Sequence, residues 1–204
     1  MAKVSASVLS ENFSQEAVDE VSSADFLQLD VMDGLFVPNK TIWADTVNLI
    51  KTSLPKDVHL MIIDPEEFVQ EFIDAGADRI AFHIEATEYP ESVIGQIQGA
   101  GLKAGIALSI ETPVKKIFPF LENIDYVIVM PIIPGASGQK FDKRVLEKIK
   151  AIRAKNPDIE IEVDGGIDGK TGKLVVEAGA DILVADSFIH SGDAKERIKI
   201  LKNI

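Results

Sequence analysis

The sequence predicts an α/β protein, a single (β/α)8 TIM barrel spanning residues 1–204. Three observations carry this. Eight short β-prone runs alternate with eight longer amphipathic stretches. Three of those stretches end in the same glycine punctuation. Two of the runs end in an aspartate on a glycine-containing loop, which suits an active site at the mouth of a barrel. Eight β-α units in about 200 residues fit a compact closed barrel, with a doubly wound open sheet as the alternative.

Taken in order, the elements are expected as follows. A strand at 4–9 precedes a helix at 14–23, and a strand at 26–32 precedes a helix at 43–53. A strand at 57–62 leads to a helix at 65–75, which ends in Asp74-Ala75-Gly76-Ala77-Asp78. Glycine there supplies the left-handed turn into the next strand, 79–83. The helix at 90–100 ends the same way, in Gly99-Ala100-Gly101, before a strand at 103–108. A helix at 113–121, a strand at 125–130, a helix at 142–155 and a strand at 159–164 follow. The helix at 168–178 ends in Glu177-Ala178-Gly179-Ala180-Asp181 before the eighth strand, 181–185, and a helix at 193–203 closes the chain.

Composition narrows the function. There is no cysteine, which excludes disulfides, thiolate metal sites and cysteine nucleophiles and fits a reducing cytoplasm. No run of 18 apolar residues occurs, and the N-terminus lacks a signal-peptide pattern, so no membrane association is expected. A net charge of −12 argues against a nucleic-acid partner. It also disfavours long-range capture of an anion. A phosphate site must then be local and built from backbone amides.

Side chains alternate faces along a strand. Gln28, Asp30 and Met32 therefore share one face of the second strand, and His59 and Met61 one face of the third. On the inward face of a barrel, Asp30, His59 and Asp164 converge from three strands. Two carboxylates and an imidazole can hold Zn²⁺, Mn²⁺ or Fe²⁺. Taken singly, a strand-end Asp also suits a helix cap and a lone His a hydrogen-bonded core position. The loop Pro134-Gly135-Ala136-Ser137-Gly138-Gln139 and the pair Gly165-Gly166 are small enough for backbone amides to approach an anion.

Over essentially its whole length the sequence resembles the ribulose-phosphate 3-epimerase family. The resemblance rests on Ser5-Ala6-Ser7-Val8-Leu9, Leu29-Asp30-Val31-Met32-Asp33-Gly34-Leu35-Phe36-Val37-Pro38-Asn39, Asp57-Val58-His59-Leu60-Met61, Val129-Met130 with the Gly135 loop, and Glu160-Ile161-Glu162-Val163-Asp164-Gly165-Gly166-Ile167. It implies metal-dependent epimerisation at C3 between D-ribulose 5-phosphate and D-xylulose 5-phosphate. Asp30 and Asp164 would be the two bases, acting through an enediolate. Asp30, His59, Asp164 and Gln28 would surround the metal. Ser7 and His59 would position the sugar, and Met32, Met61 and Met130 would cap the reacting carbons. Gly135, Ala136, Ser137, Gly138, Gly165, Gly166, Asp186 and Ser187 would form the phosphate end. Barrels of this family are often homo-oligomers, an expectation by analogy.

Two departures from the family pattern stand out. Gln28 occupies the position of a metal-binding histidine, and an amide oxygen is a poorer Zn²⁺ ligand than imidazole. Asp186 stands where the family has glycine. A carboxylate aimed at phosphate would repel it by about 3 kcal/mol per charge pair at about 5 Å and an effective dielectric near 20. The expectation here is that the Asp186 side chain caps the short helix after it and its amide faces the phosphate. Leu35, Ile133 and Ala136-Ser137 also depart from the usual pattern. These changes keep two alternatives open: a hexulose 6-phosphate 3-epimerase, or a barrel without catalysis that binds a ligand or partner. Asp33 is expected to orient the loop through Gly34. His83 is assigned to the core or to the substrate side, His190 to the surface, and Trp43 to packing or a subunit contact.

Overall fold

The computed structural model describes residues 1–8, 14–135 and 139–204. Strands β1 (Lys3–Ser7), β2 (Phe26–Met32), β3 (Lys56–Met61), β4 (Arg79–His83), β5 (Lys103–Leu108), β6 (Tyr126–Val129), β7 (Glu160–Asp164) and β8 (Ile182–Ala185) pair in parallel and in chain order, and β8 closes on β1. The barrel expected from the alternating pattern is therefore the fold. Helices α1 (Gln15–Glu20), α2 (Ala44–Leu49), α3 (Val69–Asp74), α4 (Pro90–Gly99), α5 (Val145–Lys155), α6 (Thr171–Ala178), α7 (Ser187–His190) and α8 (Ala194–Lys202) lie between or after the strands. Among the described residues no helix is long and apolar enough to cross a membrane.

The differences from expectation have local causes. The segment Val114–Phe120 is a 3-10 helix, not an α-helix. Pro119 lies inside it, and proline removes the N–H that an α-helical turn would need. Pro65–Glu67 is likewise a 3-10 turn before α3. Helix α7 is the short helix expected after Asp186. Residue 9, placed in the first strand by pattern, lies outside the described residues.

Each strand divides its side chains between two environments. Leu27, Leu29 and Val31 of β2 point outward into the main apolar layer beneath the helices. Burying each contributes roughly 1.5–3 kcal/mol. Gln28, Asp30 and Met32 alternate with them and face the barrel interior.

The interior is layered. Toward the strand N-termini, Arg79 is buried among Asp57, Glu160 and Glu162 at 2.7–3.0 Å, and its guanidinium lies 3.6 Å from the Tyr126 ring centre. Gly105 makes room for that ring, since a Cβ there would sit 2.5 Å from the Tyr126 ring edge. Above this plug come Ala81, Ala107, Ile128 and Met130. The C-terminal mouth holds a cavity lined by carboxylates and by apolar side chains.

Candidate active site and metal centre

Register sets the site. Asp30 on β2 lies directly beside His59 on β3, and Ser7 on β1 lies beside Gln28. Asp164, the last residue of β7, reaches across the mouth. The Asp30, His59 and Asp164 ligand atoms all lie within 4.8 Å of one another. His59 Nδ1 is 3.1 Å from Asp30 Oδ1 and 3.2 Å from Asp164 Oδ2. Ser7 Oγ donates to Asp30 Oδ2 at 2.7 Å. Gln28 Nε2 donates to both carboxylates, at 2.8 Å to Asp30 and 3.0 Å to Asp164.

The electrostatics follow from two acids in a buried place. Burial alone would pull the His59 imidazole down, but hydrogen bonds and charge from Asp164 and Asp30 outweigh it and raise it to about 10. In the metal-free protein His59 is thus a cation at neutral pH. Burial pushes the Asp164 carboxyl up; the contact with His59 opposes this and the charge of Asp30 adds to it.

The donor set suits a divalent cation. Two carboxylates and a ring nitrogen converge, and Gln28 brings an amide beside both carboxylates. Gln28 Oε1 is buried with no hydrogen-bond partner among the described residues. Rotating the amide would exchange Nε2 for Oε1 on the carboxylate side and offer an oxygen ligand. Oxygen-rich sets of this kind favour hard or borderline cations over a thiophilic one.

The rest of the predicted set divides clearly. Met32, Met61 and Met130 line the cavity above the carboxylates. Gly135, Gly165, Gly166, Asp186 and Ser187 line its other end. Gly165 adopts a φ of +120°, and a Cβ there would meet Ile132 at 2.5 Å. His59 and Gln28 lie beneath the cavity floor, fully buried. Ala136, Ser137 and Gly138 lie outside the described residues.

Asp186 departs from expectation. It makes no side-chain cap to α7. Its carboxylate instead lines the cavity, 3.8 Å from His190 Nε2. Burial, offset by His190 and reinforced by Asp30 and Asp164, pushes it up to about 6. The Asp186 backbone, at φ −110° and ψ −80°, is not in the extended conformation from which a capping side chain reaches back to the helix amides, and the side chain lies near His190 instead. His190 is exposed, as expected, and its Nε2–H also donates to the Ser7 carbonyl at 3.1 Å.

The loop after β2 roofs the site. Asp33 Oδ1 accepts the Leu35 and Phe36 amides and Oδ2 accepts the Ile63 amide, so Asp33 does order the Gly34 turn. Phe36 packs with Met32, Met61 and Val37. Asn39 donates to the Gly135 carbonyl at 2.5 Å. Trp43 packs edge-on against Phe68 and Phe72 and donates to Glu71. Pattern reasoning gives His83 and Glu85 no specific role. His83 Nε2 lies 3.0 Å from His59 Nε2, and its Nδ1 lies 3.1 Å from Glu85 Oε2. The signal for them is their i, i+2 spacing at a strand end.

A closed barrel with two facing carboxylates, a bridging imidazole and a cavity above them defines a (β/α)8 acid–base site with a place for a cation. Comparison with known proteins sharpens the class. Residues 3–190 match the model of the ribulose-phosphate 3 epimerase family. The ribulose-phosphate 3-epimerase of Bacillus subtilis is 41% identical, with 99% of each chain covered. That of Schizosaccharomyces pombe is 40% identical over 88% of this chain and 82% of its own. Among solved structures, 3-keto-L-gulonate-6-phosphate decarboxylase from Vibrio cholerae superposes with a TM-score of 0.79 at 14% identity, covering 99% and 96% of the two chains; this likeness is one of fold. The chain belongs to the ribulose-phosphate 3-epimerase family, and it is a pentose-phosphate epimerase.

Proposed function

We propose that this barrel interconverts D-ribulose 5-phosphate and D-xylulose 5-phosphate by two-base proton transfer at C3, with a divalent cation in the site. One observation carries the reading: Asp30 and Asp164 reach the same His59 nitrogen, at 3.1 and 3.2 Å, from strands on different sides of the mouth. Inversion at one carbon without turning the sugar needs a base on each face.

One carboxylate takes the C3 proton to give an enediolate, and the other returns a proton to the opposite face. The carboxylates exchange roles in the reverse direction. Ser7, donating to Asp30, holds that carboxylate oriented. A cation held by Asp30, His59 and Asp164, with the Gln28 amide oxygen, would supply positive charge against the oxyanion that develops at C2. Met32, Met61 and Met130 keep water from the reacting carbons with polarisable, adaptable surfaces. The Gly135, Gly165-Gly166 and Ser187 end receives the phosphate through backbone amides and a hydroxyl.

The test is to incubate the protein with D-ribulose 5-phosphate in D₂O, with and without Zn²⁺, Mn²⁺ or Fe²⁺. Metal-dependent deuterium entry at C3 with xylulose 5-phosphate formation is expected. A hexulose 6-phosphate run in parallel reads the sugar length. No exchange with any metal, in folded protein, would overturn the reading.

A further inference from the structure

We propose that His83 and Glu85 form a positioning relay that fixes the proton direction of His59, keeping its Nδ1 available to a cation between Asp30 and Asp164. The inference rests on the metal-centre reading above and deepens it with two residues that reading does not use.

The argument is one of hydrogen-bond polarity. His59 and His83 are both fully buried, and their Nε2 atoms face each other at 3.0 Å. Only one of those two nitrogens can carry a proton, since two N–H groups cannot share one hydrogen bond. Glu85 decides which. Its Oε1 accepts the Ser109 amide at 2.9 Å, and Oε2 faces His83 Nδ1 at 3.1 Å. An ionised carboxylate only accepts, so His83 Nδ1 must donate. The second nitrogen of a neutral His83 is then bare, and His59 Nε2 must donate to it. A neutral His59 protonated at Nε2 presents a lone pair at Nδ1, the atom that faces both carboxylates. The direction runs from His59 through His83 to Glu85 and does not reverse when a cation replaces the Nδ1 proton.

The surroundings hold Glu85 in its charged form. Burial works against this, but the contact with His83 and bonds from Thr112 and the Ser109 amide prevail and bring it to about 2. Lys148, whose Nζ donates to the Ser109 and Thr112 carbonyls, adds positive charge nearby. His83 itself is stacked against His59 at 5.0 Å and under Phe36 at 4.8 Å between ring centres, so the ring cannot turn freely. Metal-bound imidazoles generally have their other nitrogen fixed by such a partner, and its loss costs about 10–100-fold in affinity.

The experiment uses the full chain, labelled with ¹⁵N-histidine, and Zn²⁺ and Mn²⁺ binding by competition with a chelator. In the wild type the His83 signals should report Nδ1 protonated and Nε2 bare. Glu85→Gln is isosteric and keeps an oxygen for the Ser109 amide, but its NH₂ then faces His83 Nδ1 and favours the reverse direction. Its metal affinity should fall about 10–100-fold. His83→Gln can accept from His59 and donate to Glu85, so it should bind metal within a few-fold of wild type, whereas His83→Leu should lose as much as Glu85→Gln. A wild-type His83 protonated at Nε2 would overturn the relay, as would Glu85→Gln with unchanged affinity or His83→Gln losing as much as His83→Leu. A wild type that binds neither metal, yet shows the expected His83 signals, would leave the relay's polarity standing and sink the metal reading instead.

Discussion

Replacing Gln28 by leucine isolates what its amide does in the metal-free barrel. Gln28 Nε2 donates to two carboxylates, at 2.8 and 3.0 Å, in a fully buried place. A hydrogen bond to a charged group contributes about 1.5–3 kcal/mol, so removing both costs roughly 3–6 kcal/mol. Against this, the mutation removes Oε1, a buried carbonyl with no partner among the described residues, and recovers about 1–3 kcal/mol. Leucine fills nearly the same volume, so no cavity term enters. At the midpoints of the two ranges, about 4.5 kcal/mol lost and about 2 recovered, the net loss should be about 2.5 kcal/mol. It is read from urea unfolding of wild type and variant in excess chelator at one pH, with a shift in midpoint at unchanged slope. A loss under about 0.5 kcal/mol would refute the reasoning, because exposed-site substitutions typically do no more than that. It would mean that His59 alone holds the two carboxylates apart.

Asp164→Asn should lower epimerisation about 10²–10⁴-fold, the usual contribution of a positioned base, with folding intact by circular dichroism; retained turnover would show the base assignment to be wrong. Gln28→His should tighten Zn²⁺ more than Mn²⁺, since imidazole favours the former and amide oxygen suits the latter, as read by chelator competition. Metal uptake should grow about tenfold per pH unit from neutrality up to about pH 10, because the cation displaces the His59 proton. Without metal the sign reverses: His59 is raised on folding, so its stabilisation is complete below about pH 6.5 and disappears as pH rises through about 10, measurable by urea unfolding in chelator. Asp186→Gly should lower the KM for D-ribulose 5-phosphate, most of all above pH 6 where the carboxylate is ionised, and the gap to wild type should close below it. The ratio of variant to wild type removes the substrate's own ionisation, which falls near the same pH.

What the sequence made legible depended on periodicity. Alternation placed Gln28, Asp30 and Met32 on one face, and they do share it, because a parallel strand buried on both sides has only two directions to offer. Glycine punctuation found the starts of β4, β5 and β8 to within a residue or two. What could not be read was anything set by the stagger between strands. That Asp30 lies beside His59 and Ser7 beside Gln28 is a property of barrel shear, which no single segment encodes. The same is true of Arg79, which pairs with Glu160 and Glu162 from the far side of the barrel. Asp186 misled for another reason. A carboxylate before a helix caps it only when its own backbone is extended, and Asp186 sits at φ −110° and ψ −80°. The sequence leaves His83 between the core and the substrate side, and its pairing with Glu85 is not legible there, because it depends on the Ser109 amide from the next strand end.

The two charged layers of the interior differ in whether a cation could complete them. In the lower layer fixed cations within the chain face the acids: Arg79 meets Asp57, Glu160 and Glu162, and Lys3 covers Glu160, two cations among three carboxyl groups. Burial pushes Glu162 and Asp57 up, Arg79 pulls both down, and the layer stays closed beneath the Tyr126 ring. The upper layer has no such counter-charge. Asp30, Asp164 and Asp186 face the cavity, and neither lysine nor arginine is among the described residues that line it. Ser7 donates to Asp30 and His190 lies beside Asp186; beyond these, a protonated His59 and the amide hydrogens of Gln28 compensate the acids. Both are exchangeable, since an imidazole can release its proton and an amide can turn. Buried charge without a fixed partner is costly, and a structure keeps it only where something else completes it. A divalent cation would supply the charge that the proton and the amide now approximate. On the proposed reading Asp186 is the one carboxylate that this exchange would leave facing the phosphate, so discrimination between phosphorylated ligands would turn on residue 186 more than on the metal.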